Sequence, residues 1–107
     1  MAHDAFCQRL QRAVGILVSE KDRVKERLLV AYASQLSNVD PARDVPEALL
    51  GEFDEIRYAL SDAGMPYGYG EHAARKLNNM TEDEASQLAR RIFALSLRAQ
   101  ERISASV

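Results

Sequence analysis

Apolar residues recur at gaps of three and four along most of this chain, the spacing that lines one face of an α-helix. The longest such row lies towards the C-terminal end, at Ala85, Leu88, Ala89, Ile92, Leu95, Ala99 and Ile103. Thr81, Glu82, Asp83 and Glu84 introduce it. The Thr81 hydroxyl can accept from the Glu84 backbone N–H while the Glu84 carboxylate accepts from the Thr81 N–H, and the acids complement the positive end of the helix dipole. The pattern predicts a helix of about 22 residues, roughly 33 Å long, which is longer than its neighbours and able to project beyond them. Phe93 and Leu97 widen its apolar arc past the main row. A helix apolar on more than the face it buries is expected to meet a partner.

Four further stretches carry the same period. Asp4 can cap a first helix with Phe6, Leu10, Ala13, Val14 and Leu17 on one side, weakened locally by Gly15. Ser19 with Asp22 reads as a second cap, ahead of Val24, Leu28, Ala31 and Tyr32, with Leu29 and Leu36 on the flanks. The sequence leaves open whether these two stretches form one helix or bend at Ser19. Residues Ser37 to Pro46 hold two prolines and several side chains that bond their own backbone, so a connector is expected there. Asp44 followed by Glu47 resembles a capping box with Pro46 in the first turn, opening a stripe of Leu49, Phe53, Ile56, Leu60 and Ala63 that Gly64 would stop. A short helix with Ala73, Ala74, Leu77 and Met80 is expected before a turn at Asn78 and Asn79.

No alternation of strand period runs far enough to predict a sheet. The expected class is therefore all-α: one domain over residues 1–107, built as a small antiparallel bundle of four longer helices and one short helix. Its 107 residues suffice for a single core, and 47% hydrophobic with 28% charged residues is an ordinary globular balance. The single cysteine, Cys7, falls on the helical pattern between Phe6 and Leu10 and is expected to be a small buried side chain. No apolar run approaches the roughly 20 residues that span a bilayer, and the polar start does not read as a signal peptide. These features predict a cytoplasmic protein without membrane contact.

A formal charge of -2 gives no global attraction to a polyanion. The charge is nonetheless uneven. Between residues 40 and 62, Asp40, Asp44, Glu47, Glu52, Asp54, Glu55 and Asp62 outnumber Arg43 and Arg57. The first third holds Arg9, Arg12, Lys21, Arg23, Lys25 and Arg27, and the final helix carries Arg90, Arg91, Arg98 and Arg102 as a basic patch. Such opposite patches favour docking, although helix faces commonly carry charges that are matched within a turn.

Catalytic chemistry finds little support. His3 and His72 lie outside any zinc spacing, Cys7 has no second thiol, and Ser19, Ser61 and Ser86 have no recognisable His and acid partners. Neighbouring acids such as Glu52, Asp54 and Glu55 point in different directions on a helix. No catalytic residue, metal ligand or cofactor is expected. The segment from Gly64 to Gly70 offers Met65, Tyr67 and Tyr69 either to seal the core or to contact a partner, and it lacks a phosphate-loop ending. Its proline and extra glycines also stretch it beyond a helix-turn-helix turn. The expected function is that of a non-enzymatic protein-interaction module, a homodimer or an accessory subunit, using Met65, Tyr67, Tyr69, Phe93 and Leu97. A nucleic-acid-associated regulator of antitoxin type, using the four arginines of the final helix, is the first alternative, and a ligand-binding bundle with its site near the glycine–tyrosine segment is the second.

Overall fold

The computed structural model describes residues 2–19, 23–37, 39–60 and 77–105. The class is all-α, and no strand occurs among the described residues. The helices are α1 (Ala2–Leu17), α2 (Val24–Ala31), the single-turn α3 (Pro41–Asp44), α4 (Glu47–Leu60) and α5 (Glu82–Ala105), with a π-helical segment, Tyr32–Leu36, continuing α2. Helix α5 packs on α1, α2 and α4, while α1 also meets α2, the π segment and α3. The expected apolar rows converge on one core. Phe6, Leu10 and Ala13 of α1, Leu28 and Tyr32, the α4 row Leu49, Phe53, Ile56 and Leu60, and Ala85, Leu88, Ile92, Leu95 and Ala99 of α5 are all buried. Phe6 and Phe53 meet edge to face with ring centroids 5.3 Å apart, the arrangement the ring quadrupoles favour. Cys7 is buried among them, as its place on the pattern predicts.

The start of α5 follows the sequence closely. Thr81 N donates to Glu84 Oε1 at 2.9 Å and Glu84 N donates to Thr81 Oγ1 at 3.0 Å, the two reciprocal bonds of a capping box. Hydrogen bonding with the Thr81 backbone first, and with the Thr81 side chain second, holds the Glu84 carboxyl below the usual carboxylate range. Helix α5 has 24 residues, about 36 Å at 1.5 Å per residue, against 16 in α1 and 14 in α4.

Three expectations need correction. The first is the cap of the second helix: the two stretches, whose continuity the sequence leaves open, are separate helices, and the residue preceding α2 is Arg23, in extended conformation with no side-chain cap, so the Ser19 and Asp22 cap does not start it. Arg27 reaches across from α2, its Nη1 donating to the carbonyls of Leu17 at 2.9 Å and Ser19 at 2.7 Å, so the following helix supplies donors to the end of α1. Those carbonyls have no acceptor role inside α1, and a cation there complements the negative end of its dipole.

The connector, secondly, contains the helical turn α3. Pro41 occupies its first position, Asp40 Oδ1 accepts from Ala42 N at 3.1 Å, and Asp40 N donates to Asp44 Oδ2 at 3.0 Å. Thirdly, the Asp44 carboxylate is taken by that bond and by Arg43, with the Arg43 side chain the larger cause of its lowered pKa. Asp44 therefore closes α3, while Pro46, whose carbonyl accepts from Leu49 N at 2.9 Å, stands just before α4.

Two serine hydroxyls accompany the π segment. Ser34 Oγ donates to Val30 O at 2.6 Å and Ser37 Oγ donates to Ala33 O at 2.8 Å, so two carbonyls of this stretch take a hydroxyl donor four residues on, a contact that bends helices. Ser37 N reaches instead to Tyr32 O at 2.8 Å, a five-residue step that widens the helix. Arg9 of α1 then donates through Nη1 to Gln35 O at 3.2 Å, supplying a partner for a carbonyl near the end of the widened turn.

Residues 61–76, which carry Ala63 and the expected Gly64 stop, the glycine–tyrosine segment with Met65, Tyr67 and Tyr69, His72, and Ala73 and Ala74 of the expected short helix, lie outside the described residues. Leu77 and Asn78 are helical, Asn79 turns, and Leu77 is buried in the core. Among the described residues no three His, Cys, Asp or Glu side chains gather at a metal-binding spacing, and no helix is long and apolar enough to cross a membrane.

Candidate functional site

Two surfaces carry side chains that the core does not consume. On α5, Ile92 points into the core, and Arg91 and Phe93 stand about 100° to either side of it. The Arg91 flank faces α4. Arg91 Nη2 donates to Glu55 Oε2 and Arg98 Nη1 donates to Glu52 Oε1, so two of the four arginines in the basic patch are paired with the acidic segment of the same chain. Both pairs are widely exposed to solvent, where such contacts are worth about 0–1 kcal/mol each. Arg102, one turn beyond Arg98, borders a shallow recess of about 260 Å³ with Arg98, Glu101 and Leu49.

The other flank is apolar and open. Phe93 is 48% exposed and Leu97, one turn later, is 44% exposed. Arg90, Ala94 and Glu101, also exposed, surround them. Helical geometry places Arg90 one turn before Ala94 and Glu101 one turn after Leu97, so the apolar pair has a cation at one end and an anion at the other. The sequence-predicted residues are thus divided: Phe93, Leu97 and Arg90 share the outer face, Arg91 and Arg98 belong to the contact with α4, and Met65, Tyr67 and Tyr69 fall outside the described residues.

The second surface was not singled out by the sequence. A cleft of about 460 Å³ opens between the C-terminal half of α1 and the α2–π stretch. Arg12 and Ile16 line it from α1, Ser19 from the bend, Arg27 and Val30 from α2, and Gln35 from the π segment. No carboxylate lines it among the described residues. The arginines were visible only as a locally basic stretch, because neither the widened turn nor a backbone carbonyl as Arg27's partner leaves a signature in residue spacing.

No family model matches this chain, and neither does any curated protein or solved structure at a significant level.

Proposed function

We propose that this chain is a small helical interaction module, acting by contact rather than by catalysis, that pairs with a second copy of itself through the outer face of α5. The observation that carries this reading is the exposure of Phe93 and Leu97, one turn apart on a helix whose inner row is already committed to the core. A two-fold antiparallel pairing would set Phe93 of each copy against Leu97 of the other, with Ala94 allowing close approach. The same operation would bring each Arg90 beside the other copy's Glu101, so the charges at the two ends of the stripe complement themselves. One helix from each side would bury less than the roughly 1,200–2,000 Å² of a standard interface, the size class of weak and transient contacts.

Sedimentation velocity over a micromolar to millimolar series tests it. Phe93→Glu and Leu97→Glu are each expected to weaken association by about ten-fold or more without loss of helix, since both side chains are half-exposed. A protein that stays monomeric at every concentration overturns the reading.

The nucleic-acid alternative ranks lower, because Arg91 and Arg98 are engaged with Glu55 and Glu52. It would require those pairs to be exchanged for phosphates, with the steep salt dependence that phosphate contacts impose. Absence of any shift with DNA and RNA in low-salt gels removes it.

A further inference from the structure

Two helices carry a glycine in their interior, Gly15 in α1 and Gly51 in α4, and the fold shows no use for either. Both are exposed. Neither takes a left-handed conformation, and among the described residues a Cβ added at either would meet no atom within 4 Å apart from its own helix backbone. Alanine would therefore fit at both positions and make a firmer helix, since glycine loses more backbone freedom on folding. A helix glycine that its own chain does not need leaves room for another backbone to come close.

The surroundings of the two glycines are opposite in charge. On α4 the outward stripe runs Glu47, Gly51, Asp54 and Tyr58 at helical gaps, with two carboxylates and no cation on it. Neither carboxylate is in an ion pair among the described residues. Tyr58 is 46% exposed, and the Arg57 guanidinium on the flank lies 5.6 Å from its ring centroid, a cation–π contact that steadies the ring. On α1, Arg12 is exposed one turn before Gly15, and Val18, one turn after it, is 66% exposed. No acid occurs between residues 5 and 19, so this face is positive where the other is negative. From the two unneeded glycines, the complementary charges and the exposed Val18 and Tyr58, we infer that the outer face of α4 docks the outer face of α1 from a second copy of this chain, the helices crossing at Gly51 and Gly15. The acids of one face lie against Arg12 of the other, and Val18 and Tyr58 lose their exposure beside the crossing. This contact is separate from the α5 pairing and does not depend on it.

The test uses the full-length protein carrying Phe93→Glu and Leu97→Glu, which suppress association through α5, in sedimentation velocity at low salt with thermal unfolding alongside. Gly15→Ala and Gly51→Ala are each expected to raise Tm by about 3 °C and to weaken association by about ten-fold. Stability and association then move in opposite directions, which a glycine serving only its own helix would not produce. Arg12→Glu and Asp54→Lys are each expected to weaken association by about five-fold, and an equimolar mixture of the two to restore it, because a reversed α4 face then meets a reversed α1 face. No association of the parent protein up to millimolar concentration, alanine variants that gain Tm and associate as before, or a mixture that associates no better than its components would each overturn the inference.

Discussion

The arginines of the N-terminal helices and those of α5 are the same residue put to different physical use. Arg9 and Arg27 donate to backbone carbonyls of Gln35, Leu17 and Ser19, oxygens that the ends of helical segments leave over. Arg91 and Arg98 donate to glutamates on a neighbouring helix in open solvent. A carbonyl cannot move away without unwinding the chain, whereas a surface glutamate can turn to water at little cost. The first kind of contact holds the backbone in place, and the second chiefly arranges charge.

This contrast is most exposed by Arg27→Ala. Loss of the charged donor from two carbonyls is expected to lower stability by about 2–3 kcal/mol in urea unfolding, and to raise amide exchange in the last turn of α1. A loss as small as that of a surface ion pair would erase the distinction. Thr81→Ala, which removes the hydroxyl from a cap that is also purely local, is expected to cost about 1 kcal/mol in the same assay.

Its partner Glu84 adds a pH signature. The folded pKa is lowered, so the stabilisation from its charged form is fully present above the unfolded-state value and disappears as pH falls through the folded value. Glu84→Gln should therefore flatten that part of the acid limb in a denaturation series from neutral pH downwards. An unchanged acid limb would mean that the box does not bind the charged form in preference. The smallest effect is expected from Arg98→Ala, below about 1 kcal/mol and diminishing with added salt. A large, salt-insensitive loss there would place the α4–α5 pairs in the same class as Arg27.

The difference between local and distant partners also explains how much of the molecule the sequence discloses. The beginning of α5 and its buried row are readable because Thr81 and Glu84 are three residues apart and the row keeps its period. The all-α class follows from the same signal. The basic patch is readable as composition only, since Glu55 and Glu52 are 36 and 46 residues from their arginines and pair only after folding. Arg27 is harder still, because its partners are main-chain oxygens that carry no residue identity. Asp44 shows competition between two local readings: it satisfies the N–H of Asp40 behind it instead of opening the helix ahead. Along the π segment the hydroxyls of Ser34 and Ser37 reach carbonyls four residues back, an option always open to serine that residue spacing alone does not reveal. Of the outer α5 face, Phe93 and Leu97 were legible as surplus apolar width, while the arrangement of the Arg12 and Arg27 cleft was not.

The contact between α1 and α5 has a consequence for synthesis. Phe6, Leu10 and Ala13 are covered in part by a helix that begins at Glu82, so the emerging N-terminal helix cannot complete its packing until most of the following chain has been translated. At about 5–20 residues per second, the delay is on the order of ten seconds. Throughout that interval the nascent helix presents an unfinished apolar face, the kind of surface that holdase chaperones recognise near the ribosomal exit.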